Sequence, residues 1–215
     1  MDGNQRWSKK IGCSKYEAYQ IGAKKLILLS KFIFKNYDVS YISAFAISSH
    51  NLKRSRKTIN ILINLLDEFV DQYLCNSLKF SFNLIFIGDL SFLPNKIRMK
   101  LENINNTNKN INHNLVIFLN YTGRNEIVNS AKSIIFSNLK MNQHNLSKNL
   151  LTSNLPDPDI LIRTGGYKRI SDFMLFQLSF TELFFLKCLW PSITSTHIKR
   201  IINEYSKIER KFGIN

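Results

Sequence analysis

The 215-residue sequence predicts an α/β fold, a mostly parallel central sheet flanked by helices, and three observations carry that prediction. Short apolar runs with strand character alternate with stretches that have helical spacing. Those stretches are long enough to be crossover connections, which parallel neighbours require and hairpins do not. Polar, flexible residues follow each apolar run, and in open parallel sheets such positions at the carboxyl ends of strands are where ligands bind.

Along the chain, Ile21, Leu26, Leu29, Ile33 and Phe34 recur with lysines between them, so residues 18–37 are predicted to form a surface helix. A strand is expected over 39–47. Residues 54–74 carry Ile59, Leu62, Ile63, Leu66, Phe69, Val70, Tyr73 and Leu74 at three-and-four spacing, the stripe of an amphipathic helix. Strands are predicted at 80–87, 115–119 and 159–163, ending respectively in Gly88-Asp89, Asn120-Tyr121 and Arg163-Thr164-Gly165-Gly166. The Asn-rich stretch 103–114 reads as a polar loop. Helices are expected at 124–139, 145–151 and 195–212, with Pro156-Asp157-Pro158 as punctuation before the fourth strand. No internal repeat and no domain linker is evident.

Hydrophobic residues make up 44% of the chain, with 8 Gly and 4 Pro, which excludes a disordered or collagen-like polymer. Thirty basic against 15 acidic residues give +15, a balance suited to nucleic acid, a phosphorylated small molecule or a membrane surface. The abundance of Asn, Ile, Lys and Phe also fits an AT-rich genome, which would explain part of that charge. Cys13, Cys75 and Cys188 form no CxxC pair, arguing for a reducing compartment and against zinc. The apolar run 26–34 is interrupted by Ser30 and Lys31 and is far short of the ~20 residues of a spanning helix. The polar opening MDGNQRWSKK is no signal peptide. A cytoplasmic protein is expected.

Three segments can carry chemistry. In IRTGGYKRIS, Arg163 and Arg169 flank a Gly-Gly turn with Ser171 just beyond. Two guanidinium forks and the free backbone of Gly165 and Gly166 would cradle a phosphate; a solvated turn with surface arginines is the alternative. MDGNQRW joins the carboxylate of Asp2 to Arg6, a weak pattern by itself. Glu182 lies in the apolar stretch FTELFFLKCLWP, where burial demands a cation or hydrogen bonds, unless the side chain reaches water at the rim.

The order MDGNxRW, SSxN with an arginine after it, NYxGR, PDxLIRTGGxxRIS, TELxF and LWP resembles the cis-prenyltransferases, undecaprenyl diphosphate synthases in particular, over nearly the whole chain. The resemblance implies condensation of isopentenyl diphosphate with an allylic diphosphate such as farnesyl diphosphate, each addition making a Z double bond, with Mg²⁺ as cofactor. It implies a single domain with an apolar tunnel, a homodimer, transient peripheral contact with the inner face of the membrane because the product is a lipid, and no nucleic-acid partner. Two diphosphates ~6 Å apart repel by roughly 25 kcal/mol at an effective dielectric near 20, so concentrated cations are needed to hold both.

By the same resemblance, Asp2 holds the metal and assists departure of the allylic diphosphate, which Gly3, Asn4, Gln5, Arg6 and Trp7 surround with Lys15, Tyr19 and Arg54. Asn51 assists proton removal; an amide is a poor base, so it orients the accepting water or diphosphate oxygen. Ser48, Ser49, His50 and Leu52 complete that segment of the substrate site. Arg163, Arg169, Ile170 and Ser171 take isopentenyl diphosphate, and Glu182 joins Asp2 at the metal.

Several positions depart from the family pattern: Gln5 stands for Gly, Lys15 for Arg, Tyr19 for His, His50 and Leu52 for Glu and Trp, and Tyr167, Asp172 and Phe176 for Glu, Asn and Trp. These changes keep open a slow enzyme or a non-catalytic subunit. A basic nucleic-acid-binding protein is a further alternative, for which no recognition motif is present. The family also carries a hydrophobic strand before MDGN, which leads to the expectation of a start codon upstream of Met1.

Overall fold

In the computed structural model, which describes residues 1–53, 55–75, 80–107 and 111–209, every strand pairing among the described residues is parallel. The elements run α1 (Asn4–Ile11), α2 (Lys15–Asn36), β1 (Tyr41–Ser48), α3 (Arg56–Leu74), β2 (Asn83–Gly88), α4 (Asn95–Asn106), β3 (Asn114–Tyr121), α5 (Gly123–Phe136), α6 (Gln143–Lys148), β4 (Ile160–Arg163), β5 (Glu182–Phe185) and α7 (Ser195–Tyr205). The α/β class is the one the sequence predicts. The parallel pairing is carried by two ladders, β1-β3-β2 and β4-β5, one in each of two compact units.

One unit comprises Ile33–Pro156 and Asp172–Met174. Its central strand is β3, and the residues Leu115, Val116, Ile117, Phe118 and Leu119 are all buried because neighbours flank it on both edges. The outer edge of β2 is met by Asn105 of α4, whose amide group donates to the carbonyl of Phe86 (2.9 Å) and accepts from its N–H (2.8 Å). Ile97, Leu101 and Ile104 bury the inner stripe of α4. Lys100 clamps α4 to α3 by donating to Asp67 (2.7 Å) and Asp71 (2.6 Å). On α3, Leu66, Val70 and Tyr73 of the predicted stripe are buried, as is Leu65 beside it, whereas Ile59, Leu62, Ile63 and Phe69 are only half-buried and Leu74 is exposed.

Beyond the carboxyl ends of β2 and β3, the polar residues close the structure. Asp89 accepts from the Ser91 N–H (2.9 Å) and from the Asn120 amide (3.1 Å), and Thr122 caps α5 through the Asn125 N–H (3.3 Å). Glu126, on the inner face of α5, is 2% exposed and accepts from the Tyr121 hydroxyl (2.6 Å), the Thr152 hydroxyl (2.9 Å) and the Thr152 N–H (3.1 Å). Burial, and secondarily this bond to Glu126, hold the Tyr121 phenol far above its ordinary range.

The other unit comprises Met1–Phe32, Asp157–Ser171 and the described part of Leu175–Asn215. Here β4 and β5 pair in the register Ile160 to Glu182 and Arg163 to Phe185. Thr194 and His197 form a capping box that starts α7, whose Ile198 and Ile201 are buried. Trp190 is buried and donates its indole N–H to the Gly22 carbonyl of α2 (2.9 Å). Residues 4–11, for which the sequence predicts no element, form the helix α1; Trp7 anchors it by donating to Ser192 (2.9 Å).

Candidate active site

Candidate site residues of the second unit described above converge where β4 ends. Arg163 is its last residue, and its guanidinium is mostly buried. One arm donates to the Ser171 hydroxyl (2.7 Å) and to the Arg169 carbonyl, while the other meets the Asp2 carboxylate at 3.1 Å. Arg6, one turn into α1, approaches the other oxygen of Asp2 at 3.7 Å. Residues 2, 6, 163, 169 and 171, spread over both ends of the chain, thus meet in one cluster.

The backbone explains how Asp2 reaches this place. Its N–H donates to the Thr164 hydroxyl and its carbonyl accepts from the same hydroxyl, both at 3.0 Å, and from the Trp190 N–H, also 3.0 Å. Gly3 then turns the chain at φ +109°, which L side chains rarely adopt, and begins α1. Gly3 offers no capping side chain, so the first-turn N–H groups of α1 and the positive end of its dipole lie beside Asp2.

The Gly-Gly turn acts differently from the phosphate cradle expected of it. The Gly165 N–H donates to the Cys188 carbonyl (2.8 Å) and the Gly166 N–H to the Leu186 carbonyl (2.9 Å), so both donors are spent inside the protein. What the turn supplies is space. Gly165 has φ +91°, and a Cβ there would lie 2.5 Å from the Arg6 guanidinium and 3.2 Å from the Asp2 side chain. The Gly-Gly turn therefore offers no free N–H to a phosphate, and donors there would come from the side chains around it and the first turn of α1.

Tyr167, noted in the sequence only as a departure, proves to be the hub. The guanidiniums of Arg169, Arg6 and Arg163 lie 4.2, 4.9 and 5.8 Å from its ring centroid. Three like charges are held near one another over an aromatic face, which attracts each of them. Thr164 and Tyr167 are the two positioning residues that sequence reasoning missed. The signal available was their place within RTGGY, between residues already chosen for charge.

Other expected residues are placed as follows. Gln5 donates to the Tyr19 hydroxyl (3.1 Å), so two substituted family positions pair with each other. Asn4 lies against α2, with its amide oxygen buried and close to where a Cβ on Gly22 would be. Lys15 is exposed at the first residue of α2, and Ile170 is half-buried beside the cluster. Ser48, Ser49, His50, Asn51 and Leu52 belong to the other unit, at the end of β1 and in the 3₁₀ turn after it, just past an irregularity in the β1–β3 register. Arg54 lies outside the described residues.

Glu182 does not join Asp2. It pairs with Ile160 at the start of β5, three residues before the level of Arg163, which is roughly 10 Å along a strand. Alternation also turns it to the face opposite Arg163. Among the described residues no group of three His, Cys, Asp or Glu side chains could hold a metal ion. A single carboxylate completed by substrate phosphates and water is an ordinary arrangement for a hard divalent cation, and the partly exposed Asp2 fits it.

A guanidinium cluster balanced by one carboxylate, at the carboxyl end of a parallel strand, defines an α/β protein that handles phosphate-bearing polyanions. The sequence profile of the family described as "Putative undecaprenyl diphosphate synthase" matches residues 1–213, and the chain belongs to that family. It is 37% identical over 215 residues to the isoprenyl transferase of Campylobacter jejuni (strain RM1221), covering 99% of this chain and 95% of that protein. It is 34% identical to the tritrans,polycis-undecaprenyl-diphosphate synthase (geranylgeranyl-diphosphate specific) of Pyrobaculum aerophilum, covering 99% of this chain and 92% of that one. The crystal structure of lavandulyl diphosphate synthase from Lavandula x intermedia in complex with dimethylallyl diphosphate matches with a TM-score of 0.87 and 25% identity, covering 100% of this chain and 95% of that one. The chain is accordingly a cis-prenyltransferase, a transferase of prenyl groups that condenses isopentenyl diphosphate with an allylic diphosphate.

Proposed function

We infer that this enzyme extends farnesyl diphosphate to a long-chain Z-polyprenyl diphosphate, the undecaprenyl carrier of cell-wall synthesis, with Mg²⁺ as its metal. The observation that carries the reading is the Arg163 guanidinium bridging the Asp2 carboxylate at 3.1 Å and Ser171 at 2.7 Å. One fork thereby links the segment assigned to the allylic diphosphate with the segment assigned to isopentenyl diphosphate.

In this reading Arg163, Arg169 and Ser171 bind the isopentenyl diphosphate, and Arg6, the first turn of α1 and Lys15 bind the allylic diphosphate. Arg54, Gln5 and Tyr19 are assigned to the same diphosphate. Asp2 holds Mg²⁺, which when bound supplies Lewis-acid charge to the departing diphosphate. Asn51 orients the water or diphosphate oxygen that accepts the proton released at each addition. The half-buried Ile59, Leu62 and Ile63 of α3 are suited to line part of the tunnel for the growing chain. The reading includes a homodimer that works against a membrane surface, because its product is a lipid. Among the described residues no helix is long and apolar enough to cross a membrane.

The test is incubation of the purified protein with radiolabelled isopentenyl diphosphate and Mg²⁺, with farnesyl or geranylgeranyl diphosphate as starter, followed by sizing of the products. Undecaprenyl-length product from farnesyl diphosphate is expected. Short products overturn the carrier assignment, and no incorporation with either starter overturns the reading.

A further inference from the structure

Helix α5 has two opposite faces. Glu126, Ser130 and Ile134 point inward and are buried, at i, i+4 and i+8. Val128, Lys132, Ile135 and Phe136 follow the same spacing on the opposite side, and there Ile135 is 69% and Phe136 92% exposed. Large apolar side chains so far from cover, two of them adjacent, are unusual on a protein surface without a partner.

The stripe continues past the helix in a fixed shape. Asn138 takes φ +53°, the Ser137 N–H returns to Ser133 and the Leu139 N–H to Ile134, each at 3.0 Å, closing α5 with a Schellman-type turn. Four residues on, Asn142 caps α6 through the Asn145 N–H (2.8 Å), and the Asn145 amide donates to the Lys140 carbonyl (2.7 Å). Leu139 and Met141, both exposed, are therefore held outward by a loop pinned at each end.

Charge identifies the occupant. From residue 123 to 153 the exposed ionisable groups include Arg124, Lys132, Lys140 and Lys148. The one acidic residue in that stretch, Glu126, is buried and turned inward. A second copy of this face would bring the same cations against these, on a chain that already carries +15. A nucleic-acid backbone would satisfy the lysines and leave Val128, Ile135 and Phe136 without an apolar neighbour. An anionic lipid surface answers both, with acyl chains for the stripe and headgroup phosphates for the rim.

We propose that the outer face of α5 and the following loop, centred on Phe136 and rimmed by Lys132 and Lys140, docks this protein on an anionic lipid surface. This gives a location to the membrane contact in the reading above, and rests on that reading only for its purpose. The test is flotation with phosphatidylglycerol or phosphatidylcholine vesicles, alongside turnover in detergent and light scattering. The wild type is expected to float with the anionic vesicles and to release as salt rises. The double substitution Ile135→Asn with Phe136→Ser should weaken flotation roughly tenfold or more, and Lys132→Glu with Lys140→Glu should abolish the preference for the anionic lipid. Detergent turnover should be unchanged in both, so lost lipid binding with intact turnover separates this proposal from the enzymatic one. In the milder Phe136→Trp protein, indole emission should shift to the blue on anionic vesicles alone. Flotation of the apolar double variant equal to wild type, an unshifted emission from the Phe136→Trp protein, or a change of oligomeric state with lipid binding retained would each overturn the proposal, the last pointing to a second copy as occupant.

Discussion

Asp2 and Thr164, 162 positions apart in the chain, hold each other through a reciprocal pair of 3.0 Å hydrogen bonds made by a single hydroxyl. The hydroxyl accepts from the Asp2 N–H and donates to the Asp2 carbonyl, so the backbone is secured without the carboxylate, which faces Arg163 and Arg6. Thr164 is 1% exposed, and removing its hydroxyl takes the acceptor from the Asp2 N–H and leaves the Asp2 carbonyl with the Trp190 N–H. Thr164→Val should cost about 2 kcal/mol of stability and lower kcat, whereas Thr164→Ser should keep both. Thermal unfolding and steady-state turnover of the pair check this; a fully active Val protein would mean that Asp2 is positioned by other contacts.

Asp2→Ala removes the carboxylate and leaves those backbone bonds in place. Turnover should fall by about 10³-fold with little change in the unfolding midpoint, because the group is partly exposed and its work is electrostatic. Near-normal turnover in this variant would remove Asp2 from the mechanism.

Arg169 stacks on Tyr167 at 4.2 Å, and the same ring attracts Arg6. Arg169→Ala should raise KM for isopentenyl diphosphate with less effect on kcat. Tyr167→Leu should do the same more mildly, by roughly three- to tenfold, as expected for losing exposed cation–π contacts. Tyr167→Phe keeps the ring and should behave as wild type. If Phe proved as impaired as Leu, the hydroxyl and not the aromatic face would be what matters.

The Tyr121–Glu126–Thr152 network is buried, and Glu126→Ala removes the acceptor of three hydrogen bonds, from the Tyr121 phenol and from the hydroxyl and N–H of Thr152. A loss of about 3 kcal/mol is expected in denaturant unfolding.

The same network sets an alkaline limit. Tyr121 keeps its proton in the folded protein above the value near 10 at which an unfolded tyrosine loses it. Stability from this group is complete below about pH 10 and falls as pH rises beyond it, since the unfolded state then binds fewer protons. Denaturant midpoints measured on either side of pH 10 should show the decline, and it should be smaller in Tyr121→Phe.

Helix α3 and strand β3 were legible because their apolar residues follow a pattern that needs no partner to be recognised, and Leu66, Val70 and Tyr73 of the α3 stripe are buried as expected. Three elements were not. Residues 4–11 form α1 although they carry only two apolar residues, Trp7 and Ile11, and Trp7 docks on Ser192. Helix α4 extends into the Asn-rich stretch read as a loop, held there by the two bonds of Asn105 to Phe86. The four residues of β5 are too few to tell a strand from any buried run, and it is their pairing with β4 that separates Glu182 from Asp2.

The sequence alone determined the family and named the candidate residues of the site: arginines, a lone early carboxylate and a glycine pair in a family-marking order. Which of them act together was decided only by tertiary structure. The Gly165 and Gly166 amides turned inward to Cys188 and Leu186, Tyr167 gathered the guanidiniums, and Glu182 fell on the other face. The physical reason is range: periodicity and backbone preference act over a few residues, whereas a contact between positions 2 and 164 depends on how the whole chain buries its apolar surface.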